Sequence, residues 1–308
     1  MRLLLVFLLI STFAFSQQSN QQIAYQYYIN GEYAKAIVLY EELIDAHFSV
    51  AYYNPYYSSL LKIKNYKEAE YLAKKLVKKY PKELQYQLAV IIAQDKSGST
   101  KKADISYAKL LKKLDGGRSQ TINLANTFTR HEIYRKALDV YILSEKINPK
   151  NNFGIQKAQL FAKIEEVELM LKEYLNEMER NPAQKKMVTS KIQKFLDNNG
   201  IKSDKNYALV KKLLLLKVRA EQGRTDFTEM LIWLFMQNHQ FQMALIQAKA
   251  LDKRTNSYGE GVYDLAETFL DKEYFELAIE AYDYVIAKGK RNYLFIEANI
   301  NKLYALTK

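Results

Sequence analysis

Leu124-Ala125-Asn126-Thr127-Phe128, then Tyr134, Ala137 and Tyr141, then Asn148-Pro149 form the stretch that decides the fold. Leu124, Ala125 and Phe128 recur at helical spacing and predict one apolar helix face. Tyr134 stands three residues before the small Ala137, and Tyr141 four after it, which predicts a second apolar face on a second helix. His131 falls in the short turn between them. Pro149 cannot continue a helix, so it closes the second one. The segment reads as an αα-hairpin. Ala137 lets the two helices approach closely, and the aromatics fill the wedge towards the next hairpin.

The same pattern recurs outward from this stretch in both directions. Tyr33–Ala36–Tyr40, Tyr66–Ala69–Ala73, Phe241–Ala244–Ala248 and Phe275–Ala278–Tyr282 repeat it, and Ala103 with Tyr107 repeats it without the leading aromatic. Ala36, Ala69, Ala103 and Ala137 follow one another at 33, 34 and 34 residues, and Ala244 precedes Ala278 by 34. Met170 with Tyr174 is a degenerate fifth unit. Pro81, Pro149 and Pro182 each lie 12 residues after a small position, at Ala69, Ala137 and Met170. The fourth proline follows Asn54, and Asn54-Pro55 predicts an N-cap and first helical residue. Such a period marks a stacked repeat array.

These units resemble tetratricopeptide repeats, over most of residues 20–290. The resemblance implies an all-α, superhelical solenoid of αα-hairpins that binds protein partners and carries no cofactor. The family's carboxylate clamp would need Lys and Asn on successive turns of the first unit. Those places hold Gln21 and Tyr25, so binding of chaperone tails does not carry over.

Residues 183–225 depart from the register. Val210 takes the small position, with Tyr207 before it and Leu214 after it, at a step of 40 from Met170. The surplus is expected in the loop-like Asp197–Lys202. Leu213–Leu216 predicts a helix buried on both sides, with a partner contact as the alternative. Asp226-x-x-Glu229 predicts a capping box that restarts regular repeats. After Tyr282 one helix is expected, from about Tyr293 to Leu306. Its Leu294, Ile296, Ile300, Leu303 and Tyr304 either pack inward only or dock a partner. The organisation is thus 1–16 signal peptide, 17–182 N-terminal array, 183–225 divergent unit and 226–308 C-terminal units with a terminal capping helix.

Met1-Arg2, the apolar Leu3–Ile10 and Ala14-Phe15-Ser16 have the order of an export signal cleaved before Gln17. With no Cys among 308 residues, disulfides, thiolate metal sites and Cys nucleophiles are excluded. No later run reaches the roughly 18 apolar residues of a membrane span. The N-terminus and the Lys/Asn/Tyr-rich repeats resemble exported repeat proteins of Bacteroidota, which implies a periplasmic location, with outer-membrane association as an extension of it.

Catalytic motifs do not assemble. His131-Glu132 opens like a zinc-protease helix, but Arg135 stands where the second His must be. Gly116-Gly117 and Gly259-x-Gly261 lack the Lys-Ser/Thr of a phosphate loop. No enzyme, metal or cofactor is expected. The candidate site is a peptide groove on the first helices. Asn123, Asn126 and Arg130 oppose the apolar face of one unit, and Gln156, Gln159 and Lys163 hold the same phase in the next. Amide side chains can pair with both N–H and C=O of an extended backbone. Ordinary solvated polar residues are the plain alternative. Lys74, Lys75, Lys78, Lys79 and Lys82, and Lys109, Lys112 and Lys113, fall on exposed faces of second helices. They read as solvated faces or as attraction to an acidic partner or anionic surface. The leading expectation is an envelope scaffold within an outer-membrane assembly or secretion complex. A soluble carrier for exported clients and an anionic glycan-binding module are the other two. Nucleic acid is not an expected partner.

Overall fold

The computed structural model describes residues 20–198, 204–221 and 223–308. The expected signal peptide and residues 199–202 of the expected surplus loop lie outside them. Every described regular element is a helix. The chain divides into two compact units between Phe153 and Gly154. The first holds α1 (20–29), α2 (Tyr33–Ala46), α3 (Val50–Lys62), α4 (Tyr66–Lys79), α5 (Leu84–Lys96), α6 (Thr100–Leu111), α7 (Arg118–Arg130) and α8 (Tyr134–Ile147). The second holds α9 (Gly154–Lys163), α10 (Val167–Arg180), a 3-10 turn at Pro182–Gln184, α11 (Lys185–Asn198) and α12 (Asp204–Ala220). It continues with α13 (Asp226–Gln237), α14 (Phe241–Thr255), α15 (Glu260–Asp271), α16 (Phe275–Ile286) and α17 (Phe295–Leu306). The helix pairs in substantial contact are one or two apart in chain order.

The register is visible in burial. Ala36, Ala69, Ala103, Ala137, Ala244 and Ala278 are completely buried, and Met170 and Val210 nearly so. Each sits where two helices cross, and a larger side chain there would force them apart. Tyrosines fill the space between hairpins. Tyr53 stacks on Tyr57 and meets Tyr86 edge-on, with centroids 5.7 and 5.2 Å away. Two of these hydroxyls find backbone partners in neighbouring hairpins: Tyr57 donates to the Ala89 carbonyl at 2.6 Å and Tyr107 to that of Lys136 at 2.8 Å.

The turn inside the hairpin is equally regular. Gly31, Lys64, Gly98, Glu132, Glu165, His239 and Glu273 each stand five residues before a small position, and each has φ between 56° and 78°. The next N–H then donates back across the turn, Glu32 to Tyr27, Asn65 to Leu60, Ile133 to Phe128 and Glu166 to Phe161, at 2.8–2.9 Å. This left-handed stop satisfies carbonyls that the first helix leaves open.

Three local expectations need correction. Pro55 lies inside α3, and the cap is Ser49, whose hydroxyl accepts from Ala51 N at 3.2 Å. The proline's missing donor falls opposite the carbonyl of Ala51, which is exposed, so water can serve it. The Asp226/Glu229 capping box does not form. Thr225 before it is already helical in φ and ψ, Asp226 is bound by Arg224, and Glu229 by Lys185. Leu213 and Leu214 are buried, but Leu215 is half-buried and Leu216 is 52% exposed, so α12 is not enclosed on both sides. On α17 only Ala298 and Ala305, with the preceding Leu294, are buried. Ile296, Ile300, Leu303 and Tyr304 face outward, while α17 packs on α16 and Asn301 donates to Tyr263 and Glu267 of α15.

Candidate peptide groove

In the first unit, α5 and α7 are first helices of consecutive hairpins and touch along part of their length. Leu124, Ala125 and Phe128 turn α7's apolar face into the core. That orientation leaves Asn123, Asn126 and Arg130 exposed as one stripe, at steps of three and four. All three line a cavity of about 890 Å³, whose opposite wall is the start of α5 with Gln85 and Leu88. Lys82 and Glu83 flank its mouth.

Hydrogen bonding inside α7 prepares this wall. Arg130 Nη2 donates to Thr127 Oγ1 at 2.9 Å, and Thr127 Oγ1 donates to the Asn123 carbonyl at 2.8 Å. The guanidinium is therefore tethered along its own helix while its remaining donors stay available. Asn126 Oδ1 has only a long 3.5 Å contact from the Tyr141 hydroxyl. The exposed Asn123 side chain keeps its amide for a ligand.

The end of α7 beside the groove is electropositive. Lys62, Lys96 and Arg130 end α3, α5 and α7 at steps of 34 residues. Beside them lies the half-buried His131. Burial, followed by the charges of Lys96, Arg130 and Lys62, holds its pKa below the ordinary histidine value. The positive charge at this end of α7 thus comes from the long cations rather than from His131.

Gln156, Gln159 and Lys163 lie on α9 of the second unit. Gln159 and Lys163 are exposed and Gln156 is half-buried, while Ala158, Leu160 and Phe161 point inward. The α5 wall was not anticipated. Ala89 and Ile92 occupy the places that Asn123 and Asn126 hold one unit later, and they are buried. The unbroken apolar run Leu88–Ala93 was the available signal. A helix apolar on most sides leaves only its polar start, at Gln85, to face a groove.

A second cavity, about 680 Å³, lies in the second unit. It is lined by Leu215, Phe235, His239, Phe241 and Tyr274 among others, and it explains why Leu215 stays half-buried. Among the described residues no group of three or more His, Asp and Glu could hold a metal ion, and no helix is long and apolar enough to cross a membrane.

No protein-family model matches this chain, and no curated protein matches it. Solved structures similar to it include a tetratricopeptide repeat protein from Parabacteroides merdae, at 15% identity over 86% of this chain and 98% of that one, with a TM-score of 0.31. A chain of the APC/C hetero-tetramer Cut9–Hcn1 is 13% identical over 92% of this chain, with a TM-score of 0.31; this chain spans 54% of it. The TPR2AB domain of yeast Sti1, solved in complex with pHSP90, is 10% identical over 95% of this chain and 99% of that one, with a TM-score of 0.28. The fold assignment rests on the chain's own features. A register near 34 residues, a buried small residue at each hairpin crossing and a left-handed turn at a constant phase make this chain an all-α array of tetratricopeptide-type αα-hairpins.

Proposed function

We propose that this chain is a non-catalytic protein-interaction scaffold that holds an extended peptide or loop of its partner in the α5–α7 groove. The observation that carries this reading is the exposed Asn123–Asn126–Arg130 stripe, which lines a cavity of about 890 Å³ opposite Gln85 and Leu88. Amides at this spacing can bracket a backbone, Leu88 lines the floor with apolar surface, and Lys82 and Arg130 favour a partner with carboxylates. The binding of pHSP90 by the Sti1 domain accords with peptide capture as a use of such hairpins.

The apolar Leu3–Ile10 and the small residues before Gln17 support an exported, periplasmic protein. In that setting the reading becomes a subunit or accessory factor of an outer-membrane assembly or secretion complex. A photocrosslinking residue placed at Asn126 or Gln85 tests it in cells. A small, reproducible set of envelope proteins, lost in the Asn126→Ala/Arg130→Glu variant, is the expected result. A broad population of exported chains would instead favour a client carrier. Unchanged capture by the folded variant would remove the groove from the account.

A further inference from the structure

Members of the two lysine clusters, Lys74 and Lys78 from one and Lys109, Lys112 and Lys113 from the other, meet on one cleft on the other side of α5. Lys74 and Lys78 of α4 face Lys109 of α6, with Lys112 and Lys113 just beyond it, around a cavity of about 620 Å³. α5 contributes to both concavities. Gln85 and Leu88 line the peptide groove, whereas Gln87 and Val90 line this cleft. The second cleft is therefore a separate surface, built chiefly from second helices.

Two features of this cleft select the chemistry of a ligand. One is charge. Lys74 is paired with Glu70, and Lys113 reaches the Pro81 carbonyl at 3.5 Å. Lys78, Lys109 and Lys112 are exposed and have no carboxylate partner among the described residues. Glu70 is itself occupied, by Lys74 and by Gln94 at 2.8 Å, and does not neutralise the rest. The other feature is the floor. Val77 and Val90 form it, and the aliphatic stems of the lysines extend it upward, as long cationic side chains do when the head group stays in water. A phosphate or uronate polymer would satisfy the ammonium groups and leave that floor in contact with water. A peptide that places an aliphatic or aromatic side chain on the valines and carboxylates on either side would satisfy both.

We infer that the α4–α6 cleft is a docking site for an acidic amphipathic peptide segment, one apolar side chain seated on Val77 and Val90 and flanking Asp or Glu side chains paired with Lys78, Lys109 and Lys112. The site is independent of the α5–α7 groove, and one chain can hold two segments at once.

Fluorescence anisotropy with the purified full chain tests this. The probe is a fluorescein-labelled peptide with glutamates around a central leucine pair. Its Leu→Ser counterpart, polyglutamate and polygalacturonate serve as competitors. The expected result is saturable binding that weakens at least about tenfold in the Leu→Ser peptide and at least about tenfold in the K78E/K109E/K112E variant. The three lysines are exposed, so that variant should keep the wild-type melting curve, and Asn126→Ala/Arg130→Glu should bind the probe normally. Equal binding of both peptides, or equal competition by polyglutamate, would reduce the cleft to a diffuse positive field and overturn the inference. So would better competition by polygalacturonate, which would mark a glycan surface, or no binding of the leucine peptide at all.

Discussion

Lys157 Nζ lies 3.0 Å from Glu173 Oε1, an ion pair that joins the two helices of one hairpin, α9 to α10, where the lysine is 6% exposed. Glu173 Oε2 is buried and has no hydrogen-bond partner. The carboxylate's stability in this position therefore depends on one cation. Lys157→Met should cost about 3 kcal/mol in urea unfolding, because it strands a mostly buried charge. The double variant Lys157→Met/Glu173→Leu should recover most of that loss. A single variant as stable as wild type would show that water reaches the carboxylate.

The left-handed turn gives a prediction of opposite sign. Lys64 and Glu165 adopt φ of 61° and 62°, conformations that cost a side-chain-bearing residue about 1 kcal/mol and glycine almost nothing. Both residues are exposed. Lys64→Gly and Glu165→Gly should each raise stability, by about 0.5–1 kcal/mol, whereas Gly98→Ala should lower it by a similar amount. Thermal melts of the three variants side by side check the sign.

Gly116 combines the same conformation with a close approach. Its φ is 78°, and a Cβ there would stand 2.9 Å from Ile147 Cγ2 and 3.2 Å from Asn148 Cβ. Asn151 Nδ2 also donates to the Gly116 carbonyl at 2.8 Å, so the loop cannot simply swing aside. Gly116→Ala should cost about 2–4 kcal/mol, combining backbone strain with overpacking. Gly31→Ala, where a Cβ meets nothing within 4 Å, isolates the strain alone and should cost less.

His131 makes stability depend on pH. Its pKa in the folded chain is lowered from 6.5, first by burial and then by Lys96, Arg130 and Lys62. Below 6.5 the unfolded chain therefore binds the proton more readily than the folded one, and stability falls as pH drops from about 6.5 towards the folded value. Above 6.5 this histidine contributes no slope. His131→Gln should flatten that part of the profile, and urea midpoints measured between neutral and mildly acidic pH report it. An unchanged slope would assign it to other groups.

The hairpin array was legible because its cause is periodic. Ala137 and Tyr141 must be small and large at fixed positions wherever helices cross, and that requirement repeats along the chain. Local competition between polar groups is not periodic, and there the sequence misled. Asp226 and Glu229 have the spacing of a capping box, yet Arg224 and Lys185 claim them first, and Arg224 comes from the loop that joins units of irregular length. Asn54-Pro55 looked like a helix start because nothing in those two residues reveals that Ser49 had already begun one. One wall of the groove followed from phase alone, since Asn123, Asn126 and Arg130 oppose a clear apolar face. The other required knowing that Ala89 and Ile92 are covered, which depends on how neighbouring hairpins pack.

The restriction of substantial helix contacts to elements one or two apart in the chain has a consequence for how the protein comes into being. A partly synthesised chain already contains the partners that most of its helices need, so hairpins can settle in the order in which they emerge. Folding need not wait for the C-terminus, and the time for which apolar faces such as that of α7 stay uncovered is set by the arrival of the next hairpin.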